Sequence, residues 1–198
     1  MSKFRLYLEL GFEHILDLNA YDHILFLVAL CAIYRIIHWK VVLILVTAFT
    51  IGHSISLALA ALDLIVVRTD IIEFLIPVTI LITCIYNVFN QNILLDKKNL
   101  MIKYGIALFF GLIHGLGFSN YLKETIGALM KGNFSIIKPL LGFNVGIELG
   151  QIAIVFVILM VSYVMMNIIS IKEKHWNYLV SGLAGIVSIY LMTQTKFW

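Results

Sequence analysis

Six apolar runs, each about the 20 residues that a helix needs to cross a hydrocarbon core, take up most of this chain. They lie near 20–37, 41–61, 71–90, 101–119, 139–166 and 176–195. Polar stretches punctuate them: Arg35, His38 and Lys40; Asp63, Arg68 and Asp70; Asn90 to Asn92, then Asp96 to Asn99; and Lys172-Glu173-Lys174. The longest connection, 120–137, carries Lys123, Glu124 and Lys131, with Lys138 at its far end. Only 13% of the 198 residues are charged, against roughly 25% in a soluble domain, and 62% are hydrophobic. A water-soluble globule cannot hide that much apolar surface. The pattern predicts an all-α integral membrane protein, a bundle of about six transmembrane helices forming one domain over 1–198.

Residues 1–18 read differently. Leu8, Phe12, Ile15 and Leu16 recur at helical spacing, with Glu9, Glu13 and Asp17 four apart on another face. This predicts a short amphipathic helix, on the surface or folded into the mouth of the bundle. The same acidic residues interrupt what a signal peptide would need as its apolar region, so the segment is expected to be retained. Lys and Arg divide evenly between the two faces, so charge bias does not set the orientation. The small net charge of +3 forms no basic block of the kind that binds nucleic acid. Cys31 and Cys84 lie far apart inside apolar runs and read as small core residues.

Ionisable side chains inside such runs are costly, roughly 2.5–3.5 kcal/mol each near the bilayer centre on insertion scales, so their placement carries information. Asp22 and His23 open the first run, His53 lies two-thirds along the second, and Glu73 opens the third. His114 lies two-thirds along the fourth, and Glu148 falls in the first third of the fifth, one turn after Asn144. Because successive spans alternate in direction, these positions share one half of the membrane, near one face, with His14 and Asp17 on the same side. Imidazoles with carboxylates are a ligand set for nickel, cobalt or zinc. Glycines beside two of the histidines, in Gly52-His53-Ser54 and His114-Gly115-Leu116-Gly117, would let helices approach closely. Each residue alone has a plainer role as a packing or helix-end group; the shared depth favours a common metal site. His38 and His175 fall near the other face and are assigned no function. A His-then-Glu echo between runs two and three and runs four and five could record a duplication, but chance resemblance among apolar helices explains it better.

Several ordered segments resemble the HupE/UreJ membrane family, in particular its second subfamily. They are His14 with Tyr21-Asp22-His23-Ile24-Leu25-Phe26, Phe49-Thr50-Ile51-Gly52-His53-Ser54, His114-Gly115-Leu116-Gly117-Phe118, and Phe143-Asn144-Val145-Gly146-Ile147-Glu148-Leu149-Gly150-Gln151. The resemblance implies nickel or cobalt supply by a secondary permease of a bacterial inner (plasma) membrane. It also implies an N-terminus outside, and His14, Asp22, His23, Glu73 and His114 as metal-handling positions. Two features depart from the nickel-permease branch: seven residues separate His14 from Asp22, a longer gap, and Ser119 to Leu122 stand where that branch places a Glu. Glu148 is a candidate substitute.

Three functions follow. The first is a divalent transition-metal permease, in which His14, His23, His53, His114, Asp22, Glu73 and Glu148 handle nickel, cobalt or zinc. The second is an intramembrane zinc-type hydrolase or transferase acting on a lipid or membrane peptide, with Glu73, Glu148 or Asp22 as general base. The third is a scaffold with a buried polar network. Membrane lipid and a metal ion are the expected partners, and a homo-oligomer is left open.

Overall fold

A computed structural model describes residues 3–18, 21–90, 97–129 and 137–195. The described residues are helical, with no strands among them. Seven helices follow in order: α1 (Lys3–Leu16), α2 (Asp22–Cys31), α3 (Trp39–Ala61), α4 (Thr69–Phe89), α5 (Lys97–Leu129), α6 (Ile137–Tyr163) and α7 (Glu173–Gln194). Helices α3 to α7 are each long and apolar enough to cross a membrane, and α2 is a shorter apolar helix. The chain is thus a helical membrane bundle.

Two expectations are refined. The first apolar run, 20–37, holds a helix only over Asp22–Cys31, followed by a turn and one 3-10 turn over Ile36–His38. The connection expected over 120–137 is helical up to Leu129, because α5 continues beyond its apolar stretch. Lys131 lies outside the described residues, as do Gln91, Asn92 and Asp96.

Glycine sets the closest approaches. A Cβ at Gly52 would strike the Leu108 carbonyl, and one at Gly111 would strike the Phe49 carbonyl, so α3 and α5 meet backbone to backbone. Their contacts advance together along both chains, so the two helices run in the same direction. Helix α1 meets α6 similarly: Gly142 faces Phe4, Gly146 faces Leu8 and Phe12, and Gly150 faces Ile15. The N-terminal helix is therefore folded into the bundle, with Tyr7 and Ile15 buried, and runs parallel to α6.

Helix α4 runs against α7, with Pro77 opposite Ser188, whose hydroxyl donates to the Pro77 carbonyl, and Asn87 opposite Asn177. It runs with α2, since the Asn87 side-chain amide donates to the Ala29 carbonyl at 2.7 Å while Asp22 and Pro77 share a groove. Against α5 it is antiparallel, with Gly117 beside Ile72 and Ile76, and His114 beside Thr79. Helix α3 runs against α6: Leu57 clusters with Phe143 and Ile147, and Thr50 bonds Gln151. Helices α1, α2, α4 and α6 thus share one direction, and α3, α5 and α7 the other. As consecutive segments with one heading, α1 and α2 make a discontinuous span, of roughly 21 and 15 Å at 1.5 Å per residue.

Candidate metal centre

Three histidines converge where this span is broken. His14 comes from the last turn of α1, His23 from the first turn of α2, and His53 from α3. One ligand atom from each lies within 4.8 Å of the other two. His23 is 4% exposed and His53 fully buried. Among the described residues, His14 Nε2, His23 Nε2 and both nitrogens of His53 have no hydrogen-bond partner. Buried polar atoms are almost always satisfied, so unpaired imidazole nitrogens on three converging histidines are a candidate ligand set.

Local hydrogen bonds set the tautomers. The Asp22 carboxylate accepts from the His23 backbone N–H at 2.9 Å and pairs with His23 Nδ1 at 3.0 Å. Asp22 therefore holds the Nδ1 proton and leaves the Nε2 lone pair free, the usual outer support of a metal-ligating imidazole. Thr79 Oγ1 donates to the Ile76 carbonyl at 2.7 Å, so toward His114 Nε2, 3.0 Å away, it can only accept. His114 then carries its proton on Nε2 and keeps a lone pair on Nδ1, which is buried without a partner. Its ring centre is 5.4 Å from that of His23, beside the three-histidine group.

Aromatic rings wall the cluster. Phe118 lies 3.7 Å from His14, and Phe49 and Phe26 lie 5.1 and 5.4 Å from His114, all between ring centres.

The other expected site residues are placed differently. Glu73 is exposed and lines a groove with Tyr21, Asp22, Ile76, Pro77 and Leu191, outside the imidazole cluster. Pro77 has no N–H, so the Glu73 carbonyl has no helical donor from that position. Glu148 accepts from Thr47 Oγ1 at 2.6 Å, while its other oxygen and Asn144 Oδ1 are buried and unpartnered among the described residues. The side chains of Ser119 to Leu122 lie outside the described residues, as does that of Glu124.

Depth differs from the sequence expectation as well. Thr79, against which His114 packs, has ten residues of α4 before it and ten after. The cluster thus reaches the middle of a spanning helix. Thr79 went unnoticed in the sequence although it fixes a histidine tautomer. Gln151 did too, fully buried and bonded to Thr50 at 2.6 Å. Thr79 gives no local signal, since threonine is ordinary in membrane helices. Gln151 does, as an uncharged amide twelve positions inside the apolar run 139–166.

The fold and cluster together define a class: a polytopic helical membrane protein with an intramembrane, metal-competent histidine group. A family model described as "HupE / UreJ protein" matches residues 1–196, and the chain belongs to this HupE/UreJ family of membrane proteins related to nickel and cobalt transport. Comparison with curated proteins and with solved structures gave no match.

Proposed function

We propose that this protein is a divalent transition-metal permease, of nickel or cobalt type, acting as one unit over 1–198 in a bacterial inner membrane. His14, His23 and His53 would hold the ion in transit, and His114 would take it up from beside them. The observation that carries this reading is the group of unpaired imidazole nitrogens at the break between α1 and α2. Broken helices that place their ends at a substrate site near mid-membrane are the usual construction of secondary transporters.

Helix polarity supports a cation there. His14 occupies the C-terminal turn of α1, where the helix dipole is negative. The facing N-terminus of α2 is positive, and the Asp22 carboxylate in its first turn offsets that. The adjoining groove carries Asp22 and Glu73, so an approaching cation meets negative charge first.

Bonds of about 2.0–2.1 Å in a tetrahedral site put nitrogens roughly 3.4 Å apart, whereas the nearest set here reaches 4.8 Å. A bound ion would draw the imidazoles inward. The hydrolase reading needs a free carboxylate beside the ion. Asp22 is engaged with His23, Glu73 faces the groove, and Glu148, one of whose oxygens accepts from Thr47, is not in the three-histidine group.

Uptake of radioactive nickel or cobalt into proteoliposomes tests the proposal. Wild type is expected to accumulate the ion, and His23→Ala combined with His53→Ala to lose at least about tenfold of the rate, taking the smaller effect typical of perturbed metal sites. Unchanged uptake in that double variant would sink the proposal.

A further inference from the structure

A second buried group lies at the other end of the bundle, independent of the histidines. Lys103 precedes His114 by eleven residues on α5, about 16 Å along the axis. It is only 7% exposed, and its Nζ is buried with no hydrogen-bond partner among the described residues. Lysines near the ends of membrane helices usually extend to water with the ammonium exposed. This one turns inward, with Nζ 5.6 Å from the ring centres of both Tyr34 and Tyr86.

Lys103 lines a cavity between α4 and α5 whose walls are mainly apolar, among them Phe26, Leu45 and Phe110. Two other polar lining groups have partners: Thr83 donates to the Thr79 carbonyl, and Asn87 to the Ala29 carbonyl. Ile82 and Ile106 also line it, and they are 48% and 39% exposed on the bundle surface. The two helices touch at His114–Thr79 and Gly117–Ile76, and the cavity lies farther along them, where it opens sideways toward lipid.

We propose that this cavity binds an anionic phospholipid drawn from the surrounding membrane. Its phosphate pairs with the Lys103 ammonium, and an acyl chain lies past Ile82 and Ile106 against Phe110. Lys103 follows the first residue of α5 by six positions, about 9 Å, a depth that a lipid headgroup can reach from the interface. A buried ammonium without an anion is costly, and the two tyrosine faces compensate only in part. Basic pockets between membrane helices are established headgroup sites on physical grounds. Small hydrated anions are disfavoured by the apolar walls and the lipid-side entrance.

Thermal unfolding of the delipidated full-length protein in detergent, with phosphatidylglycerol or phosphatidylcholine added, tests this. Wild type is expected to gain a larger upward shift in Tm from phosphatidylglycerol. Lys103→Met should abolish that difference while unfolding no earlier than wild type without lipid. Ile106→Trp keeps the ammonium but fills the mouth, and should abolish it too; it decides the matter if the lysine variant does not fold. Equal shifts from both lipids in wild type, or a phosphatidylglycerol-specific shift surviving in either folded variant, overturns the proposal. A shift with oleate and none with phosphatidylglycerol overturns the phospholipid as the occupant.

Discussion

His23 is the residue on which the candidate site turns, because its Nδ1 is held by a carboxylate while its Nε2 belongs to the histidine group. Asp22→Asn tests that division. The amide keeps the shape but can no longer accept as an anion, so the Nδ1 proton is held less firmly and the imidazole is less basic. Nickel or cobalt affinity, read by calorimetry in detergent, is expected to fall about 10–100-fold, the usual effect of losing such a support. An unchanged affinity would show that Asp22 serves only the helix end. Much of this was legible in the sequence: the histidines and Asp22 stood out because ionisable groups in apolar runs are rare. Glu73 and Glu148 stood out for the same reason, yet rarity gives depth and not direction. Glu73 faces a groove and Glu148 faces Thr47. Lys103 was hidden by its position near a helix end, where an exposed lysine is the ordinary case.

Among the elements, the seam between α3 and α5 depends on absent side chains. Gly52→Ala sets a methyl group against the Leu108 carbonyl, which as backbone cannot swing aside. The expected cost is about 1–3 kcal/mol or more, since overpacking is paid in backbone shifts. Gly182 in α7 has nothing within 4 Å of an added Cβ, so Gly182→Ala is expected to gain roughly 0.5–1 kcal/mol. Comparing the two by denaturant unfolding in detergent checks the argument, and equal responses would refute it. Five of the spans were legible because length and apolarity define them. The broken first span was not. The break lies between Leu16 and Asp22, where the amphipathic segment meets the first apolar run, and nothing in that run marks that its helix stops at Cys31. A sign existed elsewhere, in the four-residue spacing of Gly142, Gly146 and Gly150, which prepares α6 for a close neighbour.

For the molecule as a whole, the directions of the helices fix which ends share a side. Counting α1 with α2 as one span gives six crossings, so Lys3 and Gln194 lie on the same face, with the α3–α4 connection. Leu64→Cys and Gln194→Cys should both react with a membrane-impermeant maleimide from one side, and Lys172→Cys only from the other. Buried Cys31 and Cys84 should stay silent. Labelling of Leu64→Cys and Lys172→Cys from a single side would overturn this arrangement. The seat of α1 against α6 has a consequence for biosynthesis. Gly142, the first of its contact glycines, follows α1 by more than 120 positions. At roughly 14 and 10 residues, neither α1 nor α2 matches the length that an insertion machine accepts as a span. Helix α1 must therefore wait for the synthesis of α6 before it finds its place. A truncated nascent chain would lack the docking site that brings His14 to the other histidines, so a half-made copy would not offer the complete group to a metal.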